Sequence, residues 1–84
     1  MNKEGIYQKI DDEIIYGDNK WNNNQKPDNT KSISDWLTYI EFHHNKAKIN
    51  LFHTNNDEAL SEIRKITALG VKCLRMFGCP KRNL

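Results

Sequence analysis

No stretch of this 84-residue chain approaches the ~20 apolar residues that a membrane-spanning helix needs. The opening residues Met1-Asn2-Lys3-Glu4-Gly5 carry no hydrophobic signal region, which argues against export and for a cytoplasmic protein. Only two cysteines are present, Cys73 and Cys79. On a helix ending near Phe77 they point to different sides, so a disulfide would be strained, and without a nearby histidine they are too few for a structural zinc site. There is no glycine-rich phosphate loop, no nucleophile elbow and no Cys–His pair at a diagnostic spacing. These absences leave a catalytic site without its usual parts.

What is present suits one small domain spanning 1–84. Hydrophobic residues make up 37% and charged residues 29%, a balance for a thin-cored globular chain rather than a disordered one. Charge is uneven: residues 1–30 hold four basic and six acidic side chains, residues 31–84 nine and five. That mild dipole can steer an acidic partner but falls short of the strongly basic footprint of a nucleic-acid binder.

Periodicity predicts an all-α fold. Ile6, Ile10 and Ile14, with Tyr7 beside them and Asp11-Asp12-Glu13 opposite, make a short amphipathic helix near 3–15 that ends at Tyr16-Gly17. A polar loop of about 16–31 follows, rich in asparagine and containing Pro27. Trp21 is expected to pin that loop to the core. Ser32 and Asp35 then offer a capping box, and Ile33, Trp36, Leu37, Ile40, His44, Ala47 and Leu51 form an inner stripe over 33–53. Such a helix is roughly 30 Å long. Asn55 and Glu58 start a third helix over 57–77, whose inner stripe is Leu60, Ile63, Thr67, Gly70, Leu74 and Phe77, widened by Ala59, Ile66 and Cys73, and stopped by Gly78 and Pro80. The short connection forces an antiparallel hairpin, with Ala47 and Gly70 allowing close approach. A short N-terminal helix plus this hairpin leaves a long flank uncovered. Completion by a homodimer or a stable partner complex is expected, with Trp36, Tyr39 and Phe42 buried in it.

Few side chains combine into chemistry. Asp11, Asp12 and Glu13 lie about 100° apart on a helix and read as a solvated face. Glu41 and His44 share a helical face, a spacing that carboxylate metal proteins use in duplicate, and no second copy exists here. His44 reads instead as a core or interface histidine. Mutual packing of the stripes leaves Tyr39, Phe42, His43 and Lys46 beside Arg64, Lys65 and Lys72. Aromatic and cationic groups in that mixture suit an anionic protein surface, an anionic ligand or a nucleotide.

Two stretches resemble a family. Tyr16-Gly17-Asp18-Asn19-Lys20-Trp21 and Asp35-Trp36-Leu37-Thr38-Tyr39-Ile40-Glu41 are similar to the start of small phage and bacterial proteins related to the MazG-like all-α nucleotide pyrophosphohydrolases. The segment from Glu58 to Val71 resembles their second long helix. The resemblance implies an oligomeric helical bundle that binds Mg²⁺ through Glu-Glu-x-x-Glu and Glu-x-x-Asp motifs and cleaves nucleoside triphosphates. This chain departs at those motifs. Glu41-Phe42-His43-His44-Asn45-Lys46 keeps one carboxylate, and Lys65 stands where the aspartate would fall. A hard cation needs clustered anionic oxygens.

The expected function is therefore a non-catalytic binding protein: a phage or mobile-element accessory or anti-defence factor acting on a host protein or ligand. The mobile-element origin follows from the resemblance and the asparagine-rich composition. The alternative is a divergent hydrolase that gathers Glu41, Glu58 and Glu62 around Mg²⁺. A nucleic-acid-binding hairpin is the third reading.

Overall fold

A computed structural model describes residues 1–21 and 28–83. The elements in order are α1 (Lys3–Trp21), a 3-10 turn (Asp28–Thr30), α2 (Ile33–Phe52) and α3 (Asn56–Phe77), with no strand among the described residues. The all-helical hairpin follows from its end signals. Ser32 Oγ accepts the Asp35 amide at 3.1 Å while Asp35 Oδ2 accepts the Ser32 amide at 2.8 Å, so both halves of the capping box are made. Such a cap contributes about 1 kcal/mol. Asn55 Oδ1 likewise accepts the Glu58 amide at 3.2 Å and opens α3. Between the helices, Thr54 takes the left-handed conformation with φ 57° and the Asn55 amide reaches back to the Asn50 carbonyl at 2.8 Å. At the far end Gly78, with φ 99°, donates to the Leu74 carbonyl and the helix stops.

The first helix runs further than expected. Gly17 does not end it, and α1 continues to Trp21. Glycine is only a weak breaker when contacts hold the turns on either side. Here Ile14 is buried one turn before, and Asp18 meets Lys72 of α3 at 2.9 Å just after. The loop expected over 16–31 thus loses its first third to helix. Its central residues 22–27 and the side chain of Trp21, expected as a pin, lie outside the described residues.

The two long helices pack on each other and α1 packs on α3, while α1 and α2 meet at most marginally. The seam differs from the expected stripes by about one residue. On α2 it runs through Trp36, Ile40, His43, Ala47 and Asn50, and Leu37 and Leu51 are exposed. On α3 it centres on Glu62 and on Ala59, which was expected at the margin of the stripe with Ile66 and Cys73, while Leu60, Ile63, Leu74 and Phe77 are exposed. The expected core place of His44 is corrected in the same way: His44 is exposed and His43 turns inward. Ala47 and Ala59, both expected on the inner side, are buried at this seam, where small side chains suit close helix packing. Trp36, 1% exposed, is already covered within one chain and is not available to a partner. No helix among the described residues is long and apolar enough to cross a membrane. Both cysteines are free thiols.

Candidate functional site

Because α1 and α2 both lean on α3 but barely touch each other, a cleft of about 960 Å³ opens between them. Its α1 wall is Glu13, Tyr16, Gly17 and Lys20, which fall on one helical face at spacings of three, four and seven. The α2 wall is Trp36, Thr38, Tyr39, Phe42, His43 and Lys46; the floor is Arg64, Lys65, Ala68, Leu69 and Lys72 of α3, with Lys31 at the edge. All seven residues expected to bind, namely Tyr39, Phe42, His43, Lys46, Arg64, Lys65 and Lys72, line this one cavity.

Rings and cations alternate along it. Lys31 Nζ lies 5.2 Å from the Trp36 ring centroid and 5.6 Å from that of Tyr39; Lys72 Nζ lies 5.7 Å from Trp36. Lys46 sits over Phe42 at 5.3 Å and Lys20 over Tyr16 at 5.5 Å. These distances are within the range where a ring face attracts an ammonium. The indole N–H of Trp36 is buried with no acceptor among the described residues, an omission that typically costs about 1–3 kcal/mol.

Two buried charge clusters support the cleft. In the first, Glu62 is 3% exposed, accepts from His43 Nδ1 at 2.6 Å, and lies 3.4 Å from both Lys46 and Lys65. Burial alone would push its carboxyl pKa up; the His43 hydrogen bond and the charges of Lys65 and Lys46 outweigh that and hold it below the ordinary glutamate value. In the second, buried Lys72 lies 2.9 Å from Asp18 and 2.9 Å from Asp28, and Asp28 also takes Lys31 at 2.7 Å. Burial raises the Asp28 pKa, and the hydrogen bonds and charges of Lys31 and Lys72 lower it by more. Arg64 Nε is held by Glu13 at 2.7 Å, tying α1 to α3.

The other expected groups lie elsewhere. Asp11 and Asp12 are exposed, Asp12 accepting from Gln8 at 2.9 Å, so only Glu13 of that run meets the cleft. Glu41, His44 and Glu58 are exposed and do not line it. The Mg²⁺ ligand set Glu41, Glu58 and Glu62 does not assemble: among the described residues no three carboxylate, histidine or cysteine groups gather as a metal requires. Glu62 is taken up by His43 and the ammonium groups of Lys46 and Lys65, so these donors do not fit the ion. The sequence reading missed Glu13, Tyr16, Lys20 and Lys31 as cleft residues. The signal was the shared face of the first three, hidden by taking Gly17 as a stop. Compared with known proteins, this chain matches no family model, no curated protein and no solved structure.

Proposed function

We propose that this chain is a small non-catalytic binding protein whose cleft takes an anionic ligand bearing a flat ring, of which a nucleotide is the type, or the equivalent group on a host protein. The supporting observation is the cleft lining. Tyr16, Tyr39 and Phe42 offer ring surface, and six cationic side chains face a single lining carboxylate, Glu13. Three further carboxylates, Asp18, Asp28 and Glu62, contact those cations, which still outnumber them. Rings give contact area at little entropic cost, and a surplus of cations attracts phosphate or carboxylate. The volume falls within the range that small-ligand sites occupy, about 300–1,000 Å³. A phage or mobile-element accessory factor acting in the host cytoplasm fits this reading, as does descent from a MazG-like scaffold whose metal motifs have decayed.

The test is calorimetry with nucleoside mono- and triphosphates, nucleosides and a short oligonucleotide, followed by chromatography of the recovered ligand. Stoichiometric binding of an intact nucleotide, weakened at least tenfold by combined Tyr39→Ala, Lys46→Glu and Lys65→Glu, is the expected result. Turnover to monophosphate and pyrophosphate with Mg²⁺ would establish the hydrolase instead. Salt-sensitive binding of the oligonucleotide alone would favour the nucleic-acid reading. If no nucleotide binds, a pull-down from the host that recovers a protein with wild type but not with the triple variant would retain the surface and reassign its ligand.

A further inference from the structure

On the side of the hairpin turned away from the cleft, six large apolar side chains of the two long helices stand in water. Ile33, Leu37 and Leu51 of α2 and Ile63, Leu74 and Phe77 of α3 are 46–60% exposed. Helical geometry places them together. Leu37 lies about 100° round α2 from buried Trp36, whereas the cleft residue Tyr39 lies about 60° the other way. On α3, Ile63 and the cleft residue Lys65 flank buried Glu62 in the same two senses. In an antiparallel pair equal rotation leads to the same side, so the six residues form one face and the cleft occupies the opposite one. His44, Thr67 and Gly70, which lie among them by the same geometry, carry no fixed charge at neutral pH.

We infer that this face is covered by a second copy of the chain, hairpin against hairpin, as a four-helix core. Three observations select that occupant. The accessible surface is 6654 Å², whereas a compact monomer of this mass exposes about 5,200 Å². That surplus exceeds the roughly 800 Å² that each partner gives to a standard interface. The radius of gyration, 13.9 Å, likewise exceeds the roughly 12 Å of a compact chain of this length. Finally, the rim is self-complementary. Glu41 and Lys48 stand seven residues apart on the outer edge of α2. Two α2 helices crossing antiparallel about a two-fold axis bring each Glu41 to the other copy's Lys48, and each Lys48 to the other's Glu41. The inference is independent of what the cleft binds.

Sedimentation equilibrium across a dilution series tests it. Wild type is expected at twice the 9.9 kDa chain mass. Leu37→Glu with Leu74→Glu places charges on side chains that are already half exposed in a single chain. It should keep the circular dichroism of the helices and weaken association at least about 100-fold. Gly70→Trp is the second variant. A Cβ at Gly70 meets nothing within 4 Å in one chain, so the chain should fold while the bulky ring blocks the second copy. Phe42→Glu, on the cleft side, should leave the dimer intact. The inference is overturned by a wild type that stays monomeric at every concentration, including one that captures only a different protein. A dimer indifferent to both face variants, or one broken by Phe42→Glu instead, overturns it as well.

Discussion

Replacing Glu62 by glutamine keeps the shape of the side chain and removes the charge of the most buried ionisable group among the described residues. The carboxylate is 3% exposed and accepts the His43 bond at 2.6 Å, with Lys46 and Lys65 each 3.4 Å away. Converting the acceptor from charged to neutral weakens the His43 bond by about 1–2 kcal/mol. Lys46 and Lys65 are 45% and 35% exposed. Each can turn to water, so each contact contributes no more than about 0.5 kcal/mol. Glu62→Gln is therefore expected to destabilise the fold by about 1–3 kcal/mol, lowering Tm by roughly 4–24 °C for a domain of this size. The pH dependence supplies a second check. Because the folded-state pKa of Glu62 is lowered, the unfolded chain takes up the proton first as pH falls. The stabilisation is complete above the ordinary value of 4.5 and fades as pH drops below it toward the folded-state pKa. Thermal melts followed by circular dichroism, at one protein concentration because association shifts Tm, should show a wide gap between the two proteins at neutral pH. The gap should close in acid. Equal Tm values at neutral pH, or a gap undiminished in acid, would refute the account of the cluster.

Two other substitutions probe separate parts of the structure. Lys72→Met keeps the buried stem but removes the ammonium held by Asp18 and Asp28; with Lys31 still paired to Asp28, the expected cost is about 2–3 kcal/mol in urea denaturation. The same variant should speed amide exchange in the last turn of α1, around Asn19 and Lys20, which the Asp18 contact secures. In wild type the Asp28 contribution, its pKa also lowered, is present above the ordinary 3.8 and is lost as pH falls below that, and Lys72→Met should shrink this acid-side loss. Thr54→Gly should raise stability by about 0.5–1 kcal/mol, since a β-branched residue at φ 57° is strained where glycine is not. An unchanged or lower Tm would show that the hydroxyl contact from Thr54 to the His53 carbonyl matters more.

The sequence by itself determined what depends on a few neighbouring residues. Ser32 with Asp35, Asn55 with Glu58, and Gly78 before Pro80 locate the ends of the two long helices to within one residue, because caps satisfy backbone groups three or four positions away. The mixture of Tyr39, Phe42 and His43 with Lys46, Arg64, Lys65 and Lys72 was also legible, as positions flanking the seam on facing helices. Which face forms the seam was not legible. Apolar and aromatic residues cover most of the circumference of α2, from Ile33 through Trp36, Leu37, Tyr39, Ile40 and Phe42, so periodicity alone permits more than one inner side. Only the packing chose it, placing His43 and Glu62 between the helices beside the expected Ala47 and Ala59 and leaving several larger aliphatics outside. The end of α1 was decided in the same way. Gly17 is an ambiguous local signal, and the partners that carry the helix past it, Arg64 for Glu13 and Lys72 for Asp18, lie some fifty residues further along the chain. The cleft exists because those distant contacts hold α1 against α3 and away from α2, a relation that no local pattern encodes.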